Sequence, residues 1–381
     1  MSDRIEHNPA TRRMRTKALQ KPALTWLVLA LMVMGPVAAG WPALAQAETP
    51  SRTSFVRLFT HVGDFPLGAA TSRVDYQSVD PAAHRIFIAK MGAGQLLVFD
   101  TERNSLVVAL DGFPKTTGVL VVPALHKVYA SVPGAGFVPS LSVALGMIGL
   151  SSGRGAVVVV DTQTLKEIAK LPGGVFPDGI AYDPRDRRVF VSDELGSAIL
   201  VIDADQNRLV ARIAPGGEVG NVQYDPITAM IYAPIQSRNE LVTIDPATLK
   251  LVARHPLSGC AHPHGLAIAP SEAVGYVACD HNDRLFTFDL AASKILARQP
   301  VAPDPDVLAI DPNARRLYVA SESGILSSFD ISSTRAPRSL GDVFVGHDAH
   351  SVAVDPESHR LYLPLADVDG KSVLRVLAPK P

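Results

Sequence analysis

One outline recurs seven times along this chain, and its period restricts the possible folds more than any other feature of the sequence. The stretch "GIAYDPRDRRVFVSDELGSAILVIDADQNRLVARI" (179–213) shows it in full. An apolar segment ends in a proline turn, and a second apolar segment follows. A short polar break leads to a third that ends in Asp, and a fourth closes the unit. Related copies begin at Ser78, Val222, Leu266, Leu308 and Val352, with a weaker one at Leu120. Their turn prolines are Pro81, Pro123, Pro184, Pro226, Pro270, Pro312 and Pro356, spaced by 42, 61, 42, 44, 42 and 44 residues. One period with one insertion accounts for all seven.

Each copy reads as four short strands, A to D. Runs rich in Val, Ile, Tyr and Phe alternate with Asp-Pro, Asn and Ser turns, and the runs are too short for helices. Four-stranded units at this spacing are the blades of a β-propeller. The expected fold is therefore all-β: a seven-bladed β-propeller of four-stranded blades. The seventh copy stops after about three strands, at Pro379. The strand-like "SFVRLFTHV" (54–62) is expected to supply the missing one, closing the ring without a bare edge.

The units "RRVFVSD", "RRLYVAS" and "HRLYLPL", each after an Asp-Pro turn and followed by "VID" or "FD" or their like, resemble the YVTN-type propeller repeat. The resemblance covers about 54–379 and implies a secreted bacterial or archaeal propeller, as in surface-layer proteins. Its motif is structural, so function has to be argued from sites.

The start of the chain agrees with export. Residues 1–22 carry six basic and two acidic side chains, "ALTWLVLALMVMGPVAAG" (23–40) is apolar, and "ALAQA" ends at Ala47. This is the pattern of a secretory signal cleaved after Ala47, with a retained membrane anchor as the alternative. A periplasmic or secreted domain over 48–381 follows, expected as a monomer. The formal charge of the whole chain is −1. Without the leader it is about −5, which lacks the basic footprint of nucleic-acid binding.

Propeller geometry gives a map of where a ligand would bind. Strand A lines the central channel, and its first residue lies at one mouth, the face on which the B–C loops also open. Six residues before each turn proline stand Asp75, Thr117, Asp178, Gly220, His264, Asp306 and His350, with Asn221 beside Gly220. Asp75, Thr117, Asp178, Asn221, His264, Asp306 and His350 are thus the candidate ligand-binding ring. Capping of backbone groups and binding of channel water is the plain reading of such residues. The alternative is one divalent metal ion (zinc, manganese or calcium) held by Asp178, His264, Asp306 and His350.

Cys260 and Cys279 are the two cysteines of the chain, in "LSGCAHPHGLAIAP" and "YVACDHND". The map sets the first on the approach to strand A of blade 5, and the second at the end of strand B, opposite about residue 265. A disulfide is expected, closing a loop of about 20 residues and worth about 3 kcal/mol. Free thiols and a Cys/His zinc site are the alternatives. His262 reads as a surface residue, whereas His264 belongs to both the cluster and the ring.

The long spacing arises from an uncharged insertion at 133–153, between strands B and C of blade 2. Phe137, Val138, Leu141, Val143, Leu145, Met147, Ile148 and Leu150 make it too apolar for a free loop. It reads as a flap on neighbouring blades, a lid over the mouth, or a surface for a partner or membrane. No C-x-x-C-H haem site is present. The expectation is a non-enzymatic propeller that binds a small ligand or a partner protein at the mouth. The alternative is a metal-dependent hydrolase of lactones or esters, similar to the gluconolactonase-like propellers. That similarity makes Asp178, Asn221 and Asp306 counterparts by type, but the family's glutamate near its N-terminus has no recognisable match.

Overall fold

The structure, a computed structural model, describes residues 57–135, 139–148, 150 and 153–380. The leader (1–47), the first part of the expected closing strand (54–56), and Phe137 and Val138 lie outside the described residues. Within the unit Glu48–Pro381 the chain forms seven four-stranded antiparallel sheets, a β-propeller. Blade 1 shows the plan, with strands A to D at Gln77–Asp80, Arg85–Lys90, Gln95–Asp100 and Ser105–Asp111.

The Asp at the end of each strand explains the turns. In the A–B turns, Asp80, Asp183, Asp225, Asp311 and Asp355 accept the amide of a residue two or three further on. In the C–D turns, Asp100, Asp161, Asp203, Asp245, Asp289 and Asp330 do the same. A short carboxylate that caps its own turn frees the chain from needing another partner there. The repeated Asp-Pro and "VID" signals are therefore devices for reversing the chain.

Strand B carries the packing. Six residues after each turn proline stands an aromatic ring: Phe87, Tyr129, Phe190, Tyr232, Tyr276, Tyr318 and Tyr362. All seven are at most 2% exposed. Each ring fills the gap between one blade and the next, so the blades share their cores. Strands B and C are buried on both faces, whereas strand D, on the outside, alternates between exposed and half-buried residues.

Phe59–Ala69 closes the ring by pairing antiparallel with Lys371–Pro379, beside Leu361–Val368 and Ala353–Val354. This strand runs seven residues further than the segment expected from sequence. Gly63, Pro66 and Gly68 look like strand breakers, but an outermost strand accommodates them. The pairing shifts register between His61 and Gly63 and again between Pro66 and Ala69. Arg375 bridges Asp64 across the seam at 2.5 Å.

The insertion contains a helix, Pro139–Met147, where the sequence pattern gave no reason to expect one. It rests on blade 3, where the Ser197 hydroxyl donates to the Val143 carbonyl at 3.2 Å. Leu141, Met147, Ile148 and Leu150 remain exposed. Among the described residues no helix is long and apolar enough to cross a membrane.

Candidate functional site: the channel mouth

A cavity of about 560 Å³ opens at the mouth that the strand map indicates. Three positions of the repeat contribute to it. Six before the proline come Asp75, Thr117, Asp178, His264 and Asp306; eight before it, Arg73, Phe176, His262 and Asp304. Ten after it, in the B–C loops, come Met91, Glu194, Gln236, Asp280 and Glu322. The last two tiers are joined by a repeated backbone latch. Glu194 N–H bonds Phe176 O, Gln236 N–H bonds Glu218 O, Asp280 N–H bonds His262 O, and Glu322 N–H bonds Asp304 O, at 2.8–3.2 Å. None of the described insertion residues lines this cavity.

Strand A enters the channel through a bulge in three blades. Register slips between Pro177 and Ile180, between Pro263 and Leu266, and between Pro305 and Val307. Asp178, His264 and Asp306 lie within these irregular segments. Bulges re-aim side chains out of the alternating pattern, and here they precede the inward-facing part of each strand. The residue after the ring position is Gly118, Gly179 or Gly265 in blades 2, 3 and 5, where neighbouring strands approach closely. A Cβ at Gly118 would stand 1.8 Å from the Asp178 carbonyl oxygen, and one at Gly265 would stand 2.1 Å from that of Asp306.

Blade 1 has Tyr76 at this glycine position, and its ring reaches across the channel. The hydroxyl donates to Asn221 Oδ1 at 3.0 Å, accepts from Asn221 Nδ2 at 2.7 Å, and lies 3.3 Å from His264 Nε2. Tyr76 lines both the mouth cavity and the space below it, whereas Asn221 lines only the lower one. Together they form the floor of the mouth. Asn221 therefore stands one level below the ring in which it was expected.

The ring is asymmetric in charge. On one side Arg73 meets Asp75 at 3.6 Å, Asp306 at 3.6 Å and Glu322 at 2.9 Å. His264 Nε2 lies 3.4 Å from Asp306 and 4.0 Å from Asp178. His350 is 1% exposed and turns away to Asp75, at 3.6 Å. Asp178, His264 and Asp306 are thus neighbours, but His350 does not complete the expected set of four. Thr117 donates to the Pro177 carbonyl at 2.8 Å and acts as a backbone cap.

These contacts set the protonation states. Burial, then the neighbouring charge of Glu194, pushes Asp178 well above the ordinary carboxylate range. Burial also raises Glu194, against the pull of His264 and a hydrogen bond from Gln236. Burial alone would lower His264, but Asp306, Glu194 and Asp178 bring it up to about 10. The same imidazolium, with His350 and Arg73, outweighs burial at Asp306 and holds it below the usual value. Asp178 and Glu194 stay raised because the one cation near them, His264, is shared with Asp306.

Cys260 and Cys279 form a disulfide, with Cα atoms 5.4 Å apart. Cys279 pairs with Pro263 rather than with residue 265, because of the bulge in strand A. The disulfide excludes free thiols and a thiolate zinc site at these positions.

No protein-family model matches the chain, and no curated protein matches it. Among solved structures it is similar to Kuenenia stuttgartiensis hydrazine synthase, with a TM-score of 0.65 and 17% identity. The match covers 83% of this chain and 97% of that one. At this identity the likeness is one of fold alone.

Proposed function

We propose that this chain is an exported, non-enzymatic propeller of the YVTN repeat type that binds a small cationic ligand at its channel mouth. The observation that carries this reading is the pair of mouth-lining carboxylates Asp178, buried, and Glu194, half-buried. Burial opposes the ionisation of both, reinforced at Asp178 by Glu194 and at Glu194 by Glu218 and Asp306. A cation between them would relieve both. At about 4 Å a single charge pair in such surroundings is worth about 4 kcal/mol before desolvation. The cavity has the size of a small-molecule site, and the Tyr76–Asn221 floor would stop the ligand from passing down the channel. The disulfide, together with the basic and apolar leader, supports an oxidising compartment outside the cytoplasm.

Calorimetric titration with putrescine, an organic dication, tests this reading. Binding should be saturable at one site, and Glu194→Gln should weaken it roughly 30-fold, the effect of losing about 2 kcal/mol. Equal affinity in the wild type and the variant would sink the proposal.

The second reading is a metal-dependent lactonase-like hydrolase, favoured by His264 lying between Asp306 and Asp178. These three residues would hold a divalent ion such as zinc, manganese or calcium, and the ion would supply polarisation of a lactone carbonyl. Manganese-dependent lactone hydrolysis without putrescine binding would favour this alternative.

A further inference from the structure

A second cluster of ligating side chains, on blade 5, lines the same mouth as the Asp178–Glu194 pair. His262, Asp280 and His281 each offer a ligating atom within 4.8 Å of the others, the one such group of three among the described residues. We propose that they form a binding site for a zinc-class divalent ion, with Glu218 as the outer carboxylate that orients His262.

The cluster is held by its backbone. The Cys260–Cys279 disulfide joins the two loops immediately before the ligands. Asp280 N–H bonds the His262 carbonyl at 3.2 Å, and His281 N–H bonds that of Ala261 at 3.3 Å. Asn239 Oδ1 accepts the His262 amide at 2.8 Å, and Asn282 ties Ala261 and Gly259 together. Few backbone torsions are left to fix when an ion arrives.

The donor geometry suits such an ion. His262 Nδ1 stands 2.9 Å from both Asp280 oxygens. Two ligands on a tetrahedral ion at about 2.0–2.1 Å lie roughly 3.3–3.4 Å apart, so a small opening admits the ion where a proton is now shared. The His281 ring stacks on His262 at 4.0 Å and is exposed, so it can turn its nitrogen inward. His262 Nε2 faces Glu218 at 3.7 Å. A carboxylate behind a ligating imidazole fixes its tautomer and strengthens it as a donor. Two imidazoles and a carboxylate favour zinc or its neighbours over calcium or magnesium. All three ligands line the mouth cavity, so a fourth coordination position would open towards it.

The test is zinc stoichiometry on the full chain, purified with its disulfide intact and without chelator, with cobalt(II) absorption as the spectroscopic readout. The wild type should bind one equivalent at the rim. His281→Ala should lose it, His264→Gln should keep it, and Glu218→Gln should weaken it roughly tenfold. Cobalt bands should report nitrogen and oxygen ligands without a thiolate band. His281 is exposed, so its replacement should leave the fold intact, and unchanged near-ultraviolet circular dichroism is required of each variant. Retention of zinc in His281→Ala, its loss in His264→Gln, or no binding by the wild type overturns the proposal. These outcomes are independent of putrescine binding at Asp178 and Glu194.

Discussion

Two positions in each blade, twelve residues apart, behave in opposite ways. Six after the turn proline, all seven blades carry a buried aromatic ring. Six before it they carry Asp, Thr, Asp, Gly, His, Asp and His. Both positions occupy equivalent places, yet one is constant in chemistry and the other is not. The constant position makes the contacts that every blade needs with its neighbour. The variable one lines a shared cavity in five of the seven blades, where the blades need not carry the same group. Repetition thus marks the fold, and departures from it within the same register mark the candidate site.

The largest expected effect tests the constant position. Tyr276→Ala should cost about 3–5 kcal/mol, as truncation of a buried aromatic does, whereas Asp178→Asn should leave stability unchanged or raise it. Denaturant unfolding of both variants measures the difference. A greater loss in Asp178→Asn would reverse the assignment of roles.

Next in size is the disulfide. Replacing both Cys260 and Cys279 by Ser should cost about 3 kcal/mol and weaken zinc binding at the rim. Binding at Asp178 and Glu194 should survive, which would separate the two sites of the mouth.

A smaller effect depends on pH. His264 is raised to about 10 in the folded chain, above its ordinary 6.5. Its contribution to stability is therefore fully present below about pH 6.5 and is lost as pH rises through about 10. The gap in unfolding midpoint between the wild type and His264→Gln should be wider at pH 6 than at pH 10. An equal gap would mean that the imidazolium is not held by Asp306, Glu194 and Asp178.

The smallest effect belongs to the insertion. Leu141→Ser and Ile148→Ser should each change stability by less than about 0.5 kcal/mol, because both side chains are exposed. A larger loss would mean that this surface is covered in solution.

The blade count, the four-strand plan, the closure and the disulfide were legible because each follows from local chemistry at a fixed period. Asp-Pro turns, apolar runs and two cysteines near one strand pair require no long-range information. The ring at Asp75, Thr117, Asp178, His264, Asp306 and His350 was also legible, by counting from the proline. The same count extended to ten residues after it would have found Glu194, Gln236 and Glu322, and eight before it Arg73. What counting could not supply was aim. The bulges before Ile180, Leu266 and Val307 depend on how strand A meets strand B, and they shift the ring residues out of simple alternation. The crossing of Tyr76 to Asn221 spans 145 residues and three blades, and only closure of the ring brings the two together. The choice of His350 to face Asp75 rather than His264 is likewise a matter of packing.

The most direct test of the central claim is a crystal structure of the protein soaked with putrescine. Difference density for the dication beside Asp178 and Glu194, above the Tyr76–Asn221 floor, is the predicted result. An empty mouth at concentrations that saturate binding in solution would contradict the account.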